Sequence, residues 1–392
     1  MKTYPRAATC GGRGGTHSRA LLAAIGSLLL ALPSLVHAAE GPAARGQWLA
    51  ESKPNRERVQ LTFTWKRGDG SGHWGGHEVS FALLEGLTVE QLTSAPSSVH
   101  FEIRRDAGTF VCDGRAGGGH GAGLFELRLD PRFADGLRQR GIGAPTESQQ
   151  IRLAFADAGY AVLDELKAQG YPTPTLSQFV QMADHGVDHE YVSGMGALGY
   201  RTGSIPELVK ARDHGVDPEY VSGLGEAGFG GLTLAELINA RDHGVDPDYV
   251  AEMREFGHGG LSLAEYIRLR DHGVDGAYVR GMAQAGHADL PLSALTRTRD
   301  HGVDPGYIRG MAAEGYKNLP LSELVRSRDH GVDPHYIREM VSAGYRGLSL
   351  DELIRARDHG VDGKFARRVN ARLGKAVSIE RLIAIRDRDE VD

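Results

Sequence analysis

The sequence predicts a mainly α-helical protein in which short helical hairpins stack into a solenoid, preceded by a small antiparallel β-sheet. A pentapeptide that recurs at one fixed spacing predicts the solenoid, because a constant period of roughly 20–50 residues is typical of stacked repeats. Helix start and stop residues at fixed places around the pentapeptide predict the hairpins. A period-two alternation of apolar residues in the N-terminal third predicts the sheet.

The repeated segment is Asp-His-Gly-Val-Asp, and its seven copies lie 29 residues apart. The first three residues of the copies are Asp184, His185 and Gly186; Asp213, His214 and Gly215; Asp242, His243 and Gly244; Asp271, His272 and Gly273; Asp300, His301 and Gly302; Asp329, His330 and Gly331; and Asp358, His359 and Gly360. A worn copy, Asp387-Arg388-Asp389, keeps the same spacing. We therefore expect about eight repeats over residues 146–392, with degenerate units capping both ends.

Within one unit the sequence predicts two helices joined by tight turns. Ser349 and Glu352 have the spacing of a capping box, which begins the first helix. Gly360 is placed to end that helix, since glycine adopts the left-handed conformation at little cost, and Asp362 then caps the second helix. Each helix is expected to span roughly 10–12 residues. Equivalent boxes are expected at Thr175/Gln178, Ser204/Glu207, Thr233/Glu236 and Ser262/Glu265.

Residues 47–145 are expected to form the β-rich domain, with about five strands. The alternating apolar residues are Val59, Leu61, Phe63 and Trp65; Val79 and Phe81; Val99, Phe101 and Ile103; Phe110 and Cys112; and Phe125, Leu127 and Leu129. Such alternation is typical of strands with one buried face, and Cys112 is then a small buried hydrophobe. The glycine run from 114 to 123 is interpreted as a loop. A capping box at Thr88 and a segment at 131–140 predict two short helices.

Residues 1–38 have the form of a cleavable export signal. Its basic residues are Lys2, Arg6, Arg13 and Arg19. An apolar segment at 20–35 follows, and Val36 and Ala38 are small enough for cleavage after Ala38. Residues 39–46 are expected to form a linker. Because of the signal, the expected location of the protein is the periplasm or the medium, with no membrane span after signal removal. The alternative is an uncleaved anchor helix.

The net charge of −6 argues against a general nucleic-acid binder, which needs a basic footprint. Cysteine contributes no internal disulfide, because Cys10 leaves with the signal and Cys112 is then alone.

The Asp-His pairs admit three interpretations. In the structural one, the histidine bonds the free carbonyls that end the first helix, and the second aspartate caps the next helix. The others are a histidine ladder that binds metal or senses pH, and catalysis. A metal or ligand site is also conceivable at His73, His77 and His120, near Trp74, but their spacing matches no recognised zinc type, and solvent-exposed loop histidines are the preferred interpretation. The structural interpretation is preferred, so no catalytic, metal or cofactor residue is assigned.

Two columns of basic residues recur with the repeats. The first column, a possible surface for an anionic partner, contains Lys210, Arg268, Arg297, Arg326 and Arg355. The second column contains Arg212, Arg241, Arg270, Arg299, Arg328 and Arg357. The alternative is a solvated face with local pairing at Glu207/Lys210, Glu265/Arg268, Glu323/Arg326 and Glu352/Arg355.

Units reading Gly-Tyr-x-x-Leu-Ser-Leu-x-Glu-Leu-Ile-Arg-x-Arg-Asp-His-Gly-Val-Asp-Pro-x-Tyr resemble tandem repeats of poorly characterised bacterial exported proteins. They are similar to repeats that trail the membrane domain of some beta-lactam-sensor-type metallopeptidases. The front module, with His73-Trp74-Gly75, the segment from Arg105 to Phe110 and Gly121-Ala122-Gly123, resembles the sheet module that often precedes them. The resemblance implies no established activity, and the peptidase's zinc motif and membrane helices are absent from this sequence.

These features predict a non-enzymatic protein-interaction or scaffolding protein of the bacterial cell envelope, with a protein partner of unknown identity. The alternative is an envelope-ligand binder that takes a glycan, an anion or a metal. A third possibility is a hydrolase whose site is not recognisable in the sequence.

Overall fold

A computed structural model describes residues 41–53, 58–67, 70–73, 77–201 and 203–388, without the side chains of 66, 67, 70–73 and 77. The predicted fold class is confirmed. A small antiparallel sheet comes first, and a tandem series of helices of regular length follows it. The buried apolar residues of both parts form one continuous cluster.

The sheet contains seven strands within the described residues, where about five were predicted. They are β1 (Ala44–Ser52), β2 (Arg58–Arg67), β3 (Gly70–His73), β4 (His77–Ser80), β5 (Ser97–Arg105), β6 (Gly108–Gly117) and β7 (His120–Leu129). The strand order is β3-β2-β1-β7-β6-β5, β4 also pairs with β2, and every pairing is antiparallel. Three short helical elements accompany the sheet. A 3-10 helix at Phe81–Leu83 and helix α1 (Val89–Thr93) lie between β4 and β5, and helix α2 (Arg132–Gln139) follows β7.

The expectation of a glycine loop at 114–123 was wrong, because most of that segment lies in β6 and β7. The glycines make room for the buried indole of Trp48 on β1. A Cβ at Gly114 or Gly123 would lie 2.7 Å from that indole, and one at Gly121 would lie 2.8 Å from it. The first strand was missed because two of its three buried residues, Ala44 and Ala50, are small, so they give little apolar alternation. It also begins inside the expected 39–46 linker.

The helices after the sheet pair into hairpins. Their bounds are α3 (Glu147–Phe155), α4 (Tyr160–Ala168), α5 (Leu176–Asp184), α6 (His189–Ala197), α7 (Ile205–Asp213), α8 (Pro218–Glu226), α9 (Leu234–Asp242), α10 (Pro247–Glu255), α11 (Leu263–Asp271), α12 (Gly276–Gln284), α13 (Leu292–Asp300), α14 (Pro305–Ala313), α15 (Leu321–Asp329), α16 (Pro334–Ser342), α17 (Leu350–Asp358), α18 (Gly363–Leu373) and α19 (Ile379–Asp387). We call the odd-numbered members from α3 onward first helices and the even-numbered members from α4 onward second helices.

First helices pack on first helices of the next unit, as α5 does on α7, and second helices pack on second helices, as α16 does on α18. Nearly all span nine residues, or about 14 Å, rather than the 10–12 residues expected. The difference arises because the capping residues lie outside the hydrogen-bonded helix. Capping boxes form as predicted at Thr88, Thr175, Thr233, Ser262 and Ser349.

The box expected at Ser204/Glu207 is not formed, since the Ser204 side chain makes no cap hydrogen bond to α7. That helix carries a proline in its first turn. An unpredicted box at Thr146 and Gln149 begins α3, the first helix of the hairpin series.

Helix α3 joins the sheet to the helices through Phe155. This ring stacks on Trp65 at 3.8 Å between centroids and also packs against Phe110 at 5.0 Å. Arg105, whose side chain is 11% exposed at the end of β5, donates to the carbonyl oxygens of Ala154 and Phe155 at 2.6 and 2.7 Å. The aromatic core of the sheet is therefore completed by a residue of the first helical unit.

Candidate functional site

Each pentapeptide forms the joint between the two helices of one unit. In the last full copy His359 ends helix α17, and Gly360 follows with a φ of 69°. The N–H of buried Val361 donates back to the carbonyl of Ala356 at 2.8 Å. This is the Schellman geometry, which satisfies carbonyls that the helix end leaves free. Asp362 then accepts the N–H of Phe365 at 2.7 Å and so caps α18.

The other six copies repeat this geometry closely. Their glycines have φ between 67° and 71°, and their valines are at most 3% exposed. The second aspartates, all N-caps, are Asp188, Asp217, Asp246, Asp275, Asp304 and Asp333. The glycine, the valine and the second aspartate of the pentapeptide therefore act within their own unit, where they form the joint.

The first aspartate and the histidine of the pentapeptide connect neighbouring units. Each histidine places Nδ1 against the carboxylate of the first aspartate of the next copy. The pairs are His185–Asp213 at 2.5 Å, His214–Asp242 at 2.7 Å, His243–Asp271 at 2.5 Å, His272–Asp300 at 2.6 Å, His301–Asp329 at 2.6 Å, His330–Asp358 at 2.8 Å and His359–Asp387 at 2.7 Å. Because an ionised carboxylate only accepts hydrogen bonds, the proton lies on Nδ1 of each imidazole.

The two ends of this His–Asp ladder are also explained. Asp184 has no pentapeptide histidine before it, and it accepts a hydrogen bond from Nε of Arg152 at 3.0 Å instead. At the other end the worn copy keeps Asp387, the acceptor of His359, while position 388 holds arginine rather than histidine. The degenerate copy therefore retains Asp387, the residue that the histidine of the preceding copy contacts.

The second basic column packs on the preceding unit. Each of its guanidinium groups lies 4.7–5.2 Å from the centre of a tyrosine ring one unit earlier, a favourable cation–π geometry. The pairs are Arg212/Tyr191, Arg241/Tyr220, Arg270/Tyr249, Arg299/Tyr278, Arg328/Tyr307 and Arg357/Tyr336. These arginines therefore have a role in stacking.

The same tyrosines bond the next joint. Tyr307, for example, donates its hydroxyl to the carbonyl of Val332 at 2.8 Å. Equivalent bonds join Tyr191 to Val216, Tyr220 to Val245, Tyr249 to Val274, Tyr278 to Val303 and Tyr336 to Val361. Burial raises the pKa of all six tyrosines above the usual value, and the neighbouring arginines oppose that shift.

The first basic column lies on the exposed side of the first helices. Arg326 pairs with Glu323 at 3.5 Å and with Asp351 of the next unit at 2.8 Å. Of the four local pairs that the sequence suggested, the described residues show only this Glu323–Arg326 contact. At Glu265 and Glu352 the carboxylate caps its helix instead, and those cap hydrogen bonds lower the pKa of both groups.

The first column also contains Lys210, Arg268 and Arg297. No ion pair is seen for these three side chains among the residues that the structure describes. Arg355 lies 3.8 Å from Glu380 of the next first helix, α19. Three of the five described members of the column therefore face solvent without a described carboxylate partner.

The histidines of the front module do not form a described metal site. The side chains of His73 and His77, and all of Trp74, lie outside the described residues. His120 is exposed at the start of β7 and borders a cleft of about 320 Å³, which Leu49, Pro96 and Arg115 also line. Within the described part of the chain no group of three or more His, Cys, Asp or Glu residues could hold a metal ion.

Sequence reasoning missed one polar contact of the front module and anticipated the burial of its cysteine. His100 contacts Asp113 across β5 and β6 at 2.8 Å on the exposed sheet face, and alternation along β5 could have placed His100 on that face. Cys112 is fully buried, as expected, and burial, together with the nearby Asp113 charge, raises the pKa of its thiol. A thiol held protonated in this way is a poor nucleophile.

Comparison with protein-family models and with curated proteins returned no match for this chain. Among the described helices none combines the length and the apolar character needed to cross a bilayer.

Proposed function

We propose that this chain is a non-enzymatic scaffold of the bacterial cell envelope that binds a protein partner along its helical repeats. The observation that carries the proposal is that the histidines and aspartates contact one another between units, so these residues serve stacking. The outward positions are then free to differ. One of them holds Gly225, Arg254 and Ala283 in successive units, all exposed. Variation of this kind on a regular array suits recognition of a protein surface.

Export is part of this proposal. It rests on the predicted signal at residues 1–38, which lies outside the described residues. Sequencing the N-terminus of the protein recovered from the periplasm or the medium should give a chain that begins at residue 39. Retention of the protein with residues 20–35 still attached would instead support the anchor-helix alternative.

Affinity capture from envelope extract tests the partner. The purified protein should recover a specific protein at low salt, and Arg254→Ala should reduce that recovery, because it removes an exposed side chain that differs between units. Arg254 also donates to the carbonyl of Ala227 in the preceding unit, so circular dichroism must show that this variant keeps its helices. The matched control is Gln47→Ala, which alters an exposed residue on the sheet instead. Recovery of no specific protein, or recovery unchanged by every outward substitution on the helices, would contradict the proposal.

A second candidate function is binding of an anionic envelope ligand through the first basic column. It is favoured by the exposure of Lys210, Arg268 and Arg297 without a described carboxylate partner. Sedimentation with vesicles of anionic lipid should then fall steeply with salt. Arg268→Gln and Arg297→Gln should weaken it more than Arg326→Gln, because Arg326 is already paired. Equal effects of the three substitutions would argue against this candidate.

A further inference from the structure

The second helices share an outer face that the joints do not use. Counting from the capping aspartate, positions three, four and seven are buried, as Tyr220, Val221 and Leu224 are in α8. Positions two, five and nine lie opposite them, because spacings of three and four residues keep side chains on one side of a helix. We call the side formed by these three positions the outer face of the second helices.

The charge of this outer face changes sign along the array. In α6, α8 and α10 its charged residues are all acidic: Glu190, Glu219, Glu226, Asp248 and Glu255. In α12, α14, α16 and α18 they are all basic: Arg280, Arg309, Arg338, Lys364 and Arg367. All ten side chains are exposed. The surrounding sequence follows the same division, since residues 147–271 contain 9 Lys and Arg against 20 Asp and Glu, and residues 275–388 contain 19 against 15.

Stacking does not require this segregation. Position five holds serine or alanine in the acidic half, at Ser193, Ser222 and Ala251, and the joints there have the same geometry as elsewhere. Like charges collected on neighbouring helices repel one another, which works against the folded array. Ion pairs within the described chain offset only part of this repulsion: Arg338 lies 2.9 Å from Glu314, and Arg280 lies 3.9 Å from Glu252.

We propose that two copies of this chain associate through the outer faces of their second helices, in antiparallel orientation, so that the acidic half of each copy meets the basic half of the other. A partner for this face must carry both signs of charge, divided in the same order. A second copy does so, and its charges recur with the same 29-residue unit, so the two faces stay in register at any offset of whole units. A polyanion would engage only one half.

Two-fold symmetry makes such a contact self-complementary and closed. Arginine, which supplies most of the basic half, is also enriched at protein interfaces. The contact is electrostatic and surrounded by solvent, so salt should weaken it strongly. This inference goes beyond the proposed function and does not depend on it, because self-association can occur whether or not an envelope protein binds elsewhere on the array.

Sedimentation velocity of the purified protein gives the first test. A dimer is expected at low ionic strength, and it should dissociate in about 1 M salt, where charges are screened within a few ångströms. A monomer at low ionic strength, up to the highest soluble concentration, would overturn the proposal. So would a dimer that is indifferent to salt.

Charge reversal gives the decisive test. Arg280→Glu, Arg309→Glu and Arg367→Glu together reverse three of the five basic charges and make the outer face predominantly acidic. Glu190→Arg, Glu219→Arg and Asp248→Arg together reverse three of the five acidic charges and make it predominantly basic. Each triple variant alone should dissociate at least tenfold more readily than the natural protein. An equimolar mixture of the two should form a one-to-one complex, because their faces are again complementary.

The matched control reverses charge on the other side of the array. Arg268→Glu and Arg297→Glu change exposed residues of the first helices and should leave the dimer intact. Circular dichroism establishes that each variant keeps its helices. A dimer that survives both triple reversals, or two triple variants that stay monomeric when mixed, would refute the assignment of this face.

Discussion

At the scale of single residues, each position of the pentapeptide has a different physical requirement. Glycine is required by backbone conformation, valine by burial, and the second aspartate by the free N–H groups of the following helix. These three roles were predictable from the sequence, because each depends on residues within five positions along the chain. The pairing of His301 with Asp329 was not predictable, since it depends on how one unit sits against the next.

Two glycine substitutions with opposite expected effects test the conformational argument. Gly302 has a φ of 67°, and a Cβ there would lie 3.4 Å from Arg328 Nε. Alanine at this position should lower the free energy of unfolding by about 1 kcal/mol or more. Gly225, exposed in α8 with open space around it, is the control, and alanine there should raise that free energy by about 0.5–1 kcal/mol. Urea unfolding measures both, and effects of equal sign would count against the assigned geometry.

At the scale of helices and strands, capping and burial patterns locate most elements, and contacts between elements explain the remainder. The helices were predicted because aspartate, serine and glycine mark their ends locally. The glycines of β6 and β7 were misinterpreted because their reason is Trp48, which comes from a strand about 70 residues earlier in the sequence. The second basic column could not be assigned to stacking until the tyrosine rings of the preceding unit were located beneath it.

The buried tyrosines between second helices predict sensitivity to alkali. Burial raises their pKa in the folded protein, so above about pH 10 the unfolded chain releases protons that the folded chain retains. Stability is therefore present below about pH 10 and should fall as the pH rises further. Tyrosinate absorbance and circular dichroism should change together during this transition.

A pair of substitutions serves as the control for alkaline unfolding. Replacing Tyr307 and Tyr336 by phenylalanine removes two of the six tyrosine hydroxyls that bond valine carbonyls. Although each loses a hydroxyl bond to a valine carbonyl, the decline in stability above pH 10 should become shallower. An unchanged slope would show that other groups cause the unfolding.

At the scale of the whole molecule, the sheet and the helices share one apolar core, so they are expected to lose structure together at their junction. The sequence suggested two adjoining domains but could not show that Phe155 fills the aromatic core of the sheet. That contact joins residues about 90 positions apart, and the local sequence contains no signal for it.

Phe155→Ala tests this coupling. The ring is 1% exposed, and its removal should cost about 3–5 kcal/mol. Both the tryptophan fluorescence of the sheet and the helical circular dichroism should shift to lower denaturant. The comparison is Leu382→Ala in α19, which is equally buried but lies at the far end of the chain. It should affect the helical signal and spare the tryptophans, since distant repeats couple only through their neighbours.

The central claim is that the pentapeptide histidines hold adjacent repeats together. A double-mutant cycle on His301 and Asp329, with His301→Ala and Asp329→Asn, measures this most directly. The account predicts a coupling free energy of about 0.5–1 kcal/mol. It predicts less than about 0.3 kcal/mol between His301 and Asp300, its chain neighbour, because Asp300 contacts His272 instead. Coupling to Asp300 without coupling to Asp329, or coupling to neither, would contradict the claim.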